Sequence, residues 1–212
     1  MLRPRRGSLT DTKRTEAFSD GVFAVTITLL ALDLFRVHAD PARGITLAQA
    51  LGMSWSTLLA FGASFAFIGV AWTNHHALFT HIKLQSTALI WANLLLLAGT
   101  TMYPWATSIL AQSLGDPLGD GGRQEILLYA ALTVFVGLMW GLTYHVVGTN
   151  PKLLKEPEKT LLRNRSAVVI SLFTAVVAAV IGYFWSPLVA TGLFLALAVF
   201  YGIAPEGFEA KA

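Results

Sequence analysis

The sequence has no cysteine, so it holds no disulfide framework, no thiolate metal site and no cysteine nucleophile. Charge is scarce as well. Only 13% of the 212 residues are charged, against roughly 25% in a soluble domain, while 55% are hydrophobic and mean hydropathy is +0.61. That balance excludes a soluble globular chain. Nucleotide-handling motifs are missing too, with no P-loop and no glycine-rich dinucleotide fingerprint. There is no Thr-Val-Gly-Tyr-Gly filter, no arginine-rich sensor helix, and no serine, histidine and acid set of catalytic spacing. These absences argue against an enzyme and against a bound cofactor.

What remains is an all-α integral membrane protein. Six apolar segments fall at approximately residues 18–35, 54–73, 86–110, 125–147, 167–184 and 187–203, each near the ~17–25 residues needed to cross a bilayer core. The net charge of +3 does not point to nucleic acid, because the basic residues follow membrane topology. With the N-terminus cytoplasmic, the inner side holds Arg3, Arg5, Arg6, Lys13, Arg14, Lys83, Lys152, Lys155, Lys159, Arg163, Arg165 and Lys211. The outer side then holds Arg36, Arg43 and Arg123, a ratio of 12 to 3 that selects this orientation and places both termini inside. Asp20 and Asp33 bracket the first apolar run, which argues against a cleaved signal peptide. Connections are short, so residues 1–212 are expected to form one six-helix transmembrane domain in contact with lipid.

Polar groups at the mouth of a membrane helix are costly unless they find partners. The cluster Arg14-Thr15-Glu16-Ala17-Phe18-Ser19-Asp20 runs directly into the first apolar segment. Consecutive antiparallel spans place Arg14, Ser19 and Asp20 at the depth of Trp72, Asn74, His75 and His76, where Asp20 could bond Arg14, the Trp72 indole or a histidine. One reading is a clasp that fixes helix register. Another is a proton pathway or proton-coupled transporter using Asp20, His75 and His76. A metal site from His75, His76 and His81 has poor spacing. On the first span, Val25, Thr28, Leu29 and Leu32 follow i, i+3, i+4, i+7 and share a face. Spacing leaves this face open to lipid, core or pore. Gly62 and Ala66 suit close helix packing, and Pro104 is expected to kink or end the third span.

The residues Arg14-xxx-Phe18-Ser19-Asp20, followed by Gly21-Val22-Phe23-Ala24-Val25-Thr26-Ile27-Thr28-Leu29-Leu30, resemble the first helix of prokaryotic relatives of the lysosomal potassium channel, transmembrane protein 175. Trp72-Thr73-Asn74-His75-His76-Ala77-Leu78-Phe79 and Asn93-Leu94-Leu95-Leu96-Leu97 are similar to that family's second and third spans. The resemblance implies a homotetramer of six-span subunits in the bacterial plasma membrane, conducting potassium in preference to sodium, with no cofactor beyond the permeant ion. It implies a pore lined by the first helix, constricted at Val25, Leu29 and Leu32, with Thr28 as the polar contact to the ion. Arg14, Phe18, Ser19, Asp20, Trp72, His75 and His76 are then the supporting network. Val25 is a methylene shorter than the isoleucine or leucine common at its position, which implies a wider first ring.

Overall fold

The computed structural model describes residues 9–115, 122–155 and 161–203. Arg3, Arg5, Arg6 and Lys211 lie outside the described residues, as do 116–121 of the expected glycine-rich outer turn and 156–160 of the basic loop.

The described residues are helical, and local chemistry explains most helix ends. Helix α1 (Lys13–Leu30) starts where the Asp11 carboxylate accepts the Lys13 N–H at 2.8 Å, then tightens into a 3-10 turn at Ala31–Arg36. The loop beyond it closes at Gly44, whose φ of +68° suits a residue without a Cβ. Short helix α2 (Leu47–Met53) opens with a capping box in which Thr46 and Gln49 satisfy each other's backbone N–H groups. Helix α3 follows (Trp55–His81), then α4 (Thr87–Thr101), capped by the Ser86 hydroxyl, and α5 (Tyr103–Gly115). The expected interruption at Pro104 is present. Proline cannot donate to the Thr100 carbonyl four residues back, and the helix breaks at Met102 between α4 and α5. Helices α6 (Gly122–Thr149), α7 (Leu161–Phe184) and α8 (Pro187–Ile203) complete the fold.

Four described stretches are long and apolar enough to cross a membrane: Lys13–Arg36, Trp55–His81, Thr87–Gly115 and Arg123–Thr149. Two shorter apolar helices, Val168–Phe184 and Pro187–Val199, are joined by a tight turn at Trp185-Ser186, where both backbone N–H groups return to the Ile181 carbonyl. The second span runs further than expected. It reaches His81, so Asn74, His75 and His76 stand on the helix rather than beyond it.

Burial orders the layers. The α4–α5 stretch is half buried within the subunit, whereas only 22% of the α1 window is buried, so α4–α5 is central and α1 peripheral. Helix α1 packs on α3, α4 and α5, α6 packs on α4, α5 and α7, and α8 packs on both α3 and α7. Tyr103, Leu110, Ile126 and Tyr129 fill the centre with Phe23, Leu30 and Ile68. Buried hydroxyls there are all paired: Ser64 Oγ lies 2.9 Å from Tyr129 Oη, Thr107 donates to Ser64 at 2.6 Å, and Tyr103 donates to Thr133 at 3.2 Å. Water is absent from a bilayer core, so these hydroxyls must satisfy one another. Within the subunit no helix packs closely on Gly62, since nothing lies within 4 Å of where its Cβ would stand. The tight positions are Gly99, where a Cβ would meet Val136 at 2.8 Å, and Gly182, where it would meet Ile126 at 2.7 Å.

A second, smaller apolar cluster of Phe79, Ile82, Leu89, Val147, Leu153 and Leu154 lies at the end of the bundle where α1 begins. Short antiparallel backbone pairs tie Thr10 to Gln85 and Ile82 to Leu154 across it.

Candidate functional site

Helix α1 has two unlike faces. Ser19, Phe23, Thr26 and Leu30, spaced 4, 3 and 4 residues apart, are buried against the subunit. The opposite side carries Phe18, Val25 and Leu29, which are 55%, 57% and 42% exposed, with Thr28 among them; Leu32, also 55% exposed, follows not on α1 as expected but in the 3-10 turn Ala31–Arg36. The Thr28 hydroxyl donates to the Val25 carbonyl at 2.8 Å, which uses its proton and leaves oxygen lone pairs free on the outward face. This face is an apolar stripe with one hydroxyl, left largely uncovered by the described residues.

Behind the stripe, adjacent residues diverge to form two separate contacts. On the inner side, Ser19 Oγ donates to the Thr15 carbonyl at 2.8 Å and accepts from Asn93 Nδ2 at 2.9 Å. The Asn93 carbonyl oxygen then stands 2.8 Å from His75 Nε2. With the amide group donating to Ser19, that oxygen can only accept, so His75 carries its proton on Nε2. The imidazole stacks on Phe79 at 4.4 Å, with Phe23 at 5.4 Å, and its buried Nδ1 has no hydrogen-bond partner among the described residues. On the outer side, Trp72 Nε1 donates to Asp20 Oδ1 at 2.9 Å, and the Trp72 ring lies 6.0 Å from His76. Two hydrogen-bonded contacts therefore fasten the start of α1, one to α3 alone and one to α3 through α4.

The expected groups are thus only partly brought together. Of the partners considered for Asp20, the indole is the one bonded. Arg14 is exposed and makes no ion pair among the described residues. No direct hydrogen bond joins Asp20 to His75 or His76 among the described residues. The three histidines do not converge either: His75 is buried, His76 is exposed, and His81 Nδ1 bonds back to the Ala77 carbonyl at 2.8 Å. Asn93 is the residue that sequence reasoning undervalued. A lone amide in the apolar run Ile90–Leu97 is itself a signal, because such a group needs a partner in lipid.

Known proteins are similar to this chain in sequence and fold. The family model for "Endosomal/lysosomal potassium channel TMEM175" matches residues 14–104, the segment that holds α1, Trp72, His75 and Asn93. A potassium channel of Streptomyces collinus is 38% identical over 64% of this chain and 66% of its own length. One from Chamaesiphon minutus is 34% identical over 69% and 70%, respectively. The crystal structure of a lysosomal potassium-selective channel TMEM175 homologue from Chamaesiphon minutus superposes with a TM-score of 0.72 and 28% identity, covering 91% of this chain and 97% of that one. A bovine relative named as an endosomal/lysosomal proton channel, TMEM175, is 40% identical, but the match spans only 28% of its length. A helical membrane protein whose first helix is fastened by these residues, and which shares sequence and fold with these channels, belongs to the TMEM175 potassium-channel family, a family of channels and not of enzymes.

Proposed function

We propose that this chain forms a potassium-permeable channel, as a homotetramer of six-span subunits with both termini cytoplasmic, in the bacterial plasma membrane. The pore runs between four copies of α1. The observation that carries this reading is the division of α1, with one side bonded into the subunit through Ser19 and Asp20 and the other bare. A helix that only faced lipid would need no hydroxyl on its outer side and no such fixing of its rotation. Around a shared axis, Val25, Leu29 and Leu32 become three aliphatic rings. Rings of this kind resist wetting, so they limit passage to ions that shed water readily and close when the pore dries. Four Thr28 oxygens between the first and second rings then replace part of the lost hydration.

The liposome flux assay separates this from proton transport. Purified protein in potassium-loaded vesicles should give potassium efflux exceeding sodium efflux, and Leu29→Ala and Leu32→Ala should raise total flux while lowering that discrimination. Flux in both variants equal to wild type would remove the stripe from the pore. Proton uptake without potassium movement, abolished by Asp20→Asn, would instead favour the function for which the bovine relative is named.

A further inference from the structure

Helices α6 and α7 leave an apolar furrow between them on the flank away from α1. Its volume is about 480 Å³, within the roughly 300–1,000 Å³ of small-molecule sites, and its walls are Leu127, Ala130, Val134, Val176, Ala179 and Val180, with Ala131 exposed on the α6 side. Small side chains hollow it out. One end is marked on both sides. Gly182 lies against Ile126, so Tyr183 and Phe184 on α7 sit beside the first turns of α6. Trp185 follows, 89% exposed, and aromatic side chains of this kind mark the depth of lipid headgroups.

At the same end stands Arg123. The positions 123, 127, 130, 131 and 134 follow one helical stripe, so Arg123 stands one turn before Leu127 on the face of α6 that lines the furrow. Arg123 is exposed and has no ion-pair partner among the described residues. Glu125, two positions on, falls on the far side of α6. An oily trough at bilayer depth, with an exposed cation at headgroup depth on the same helix face, matches one kind of molecule.

We propose that this furrow is a binding site for an anionic phospholipid, with one acyl chain in the trough and the phosphate on Arg123. Arginine suits the phosphate because its fork can donate two hydrogen bonds at once. A second copy packed face to face is disfavoured, because it would set one Arg123 against another. The placement of the furrow toward lipid rests on the reading of α1 as the axial helix, since α6 and α7 lie beyond α4 and α5 from it.

The test uses the intact, delipidated channel and native mass spectrometry, titrating palmitoyl-oleoyl phosphatidylglycerol against the phosphatidylcholine of the same chains. No flux is measured, so failure here is distinct from failure of the pore reading. Phosphatidylglycerol should bind more tightly, and Arg123→Gln should cut that advantage about fivefold, the effect of one basic residue at a membrane surface. Arg123→Lys should retain most of it. Ala131→Trp, which fills the trough from an exposed position, should reduce binding of both lipids, and Val180→Trp on the facing wall serves if that variant does not assemble. Unchanged lipid binding in the arginine and trough variants would overturn the proposal. So would a trough variant that altered the oligomer's mass and left lipid uptake alone, which would make the furrow an interface between copies.

Discussion

Replacing Asn93 by leucine should destabilise the subunit far more than its size change suggests. Asn93 is buried, and its amide links Ser19 on α1 to His75 on α3 at 2.9 and 2.8 Å. Leucine keeps the same branched heavy-atom skeleton in a somewhat larger volume, so the main loss is polar rather than apolar. What is lost is two hydrogen bonds, each worth about 0.6 kcal/mol in a membrane interior. His75 is then left with no polar partner, because its Nδ1 is already bare, and a stranded buried donor costs about 1–3 kcal/mol. The expected penalty is ~2–4 kcal/mol. His75→Phe should cost less, about 1–2 kcal/mol, because the ring still stacks on Phe79 and only the Asn93 oxygen is orphaned. The double variant removes both ends of the bond and should fall well short of the sum, by about 1–2 kcal/mol, since an apolar pair of similar shape needs no partner. Unfolding in mixed micelles at fixed protein concentration measures all four forms. If the two penalties simply add, Asn93 and His75 are not energetically coupled and the account of α1's inner fastening fails.

Other expectations follow from the same geometry. Gly99→Val drives a side chain into Val136 and Phe135 and should cost about 1–3 kcal/mol or prevent assembly, whereas Gly62→Ala, with open space around it, should change subunit stability by less than about 0.5 kcal/mol; thermal unfolding of the two variants compares them directly. Trp72→Phe removes the donor to Asp20 on a half-open surface and should cost only about 1 kcal/mol, while altering unitary current if that carboxylate sets the charge at the entrance; bilayer recording checks both outcomes. Val25→Ile restores a methylene to the first ring and should lower conductance, and a conductance equal to or above wild type would remove Val25 from the narrow part of the pore.

The helical membrane architecture was legible because apolar runs and clustered charge are composition-level signals. The break at Met102 could be anticipated from Pro104 alone, since a missing N–H is a local fact. Partner choice was not. Sequence placed Asp20 near three possible donors, and only the three-dimensional turn of α3 decides that Trp72 faces it while His75 turns inward. The same limit applied to glycine: Gly62 and Gly99 look alike in a string, but only one meets a neighbouring helix. Likewise the stripe from Val25 to Leu32 showed its period in the sequence, whereas its exposure became visible only once the buried face opposite it was known.

The unequal tethering of α1 along its length has a mechanical consequence. Its start is held by Thr10 paired with Gln85, by the Gln85 amide on the Asp11 carbonyl, and by the Ser19 and Asp20 contacts. Its end is a 3-10 turn whose recorded side-chain tie to another helix, Ser108 to Asp33, is a long 3.4 Å. Such a rod behaves as a lever with a fixed fulcrum at one tip. Small tilts would leave Phe18 almost still and swing Leu32 and Phe35 through the widest arc; in the proposed tetramer, spin labels at position 35 of opposing subunits should spread more on opening than labels at position 18.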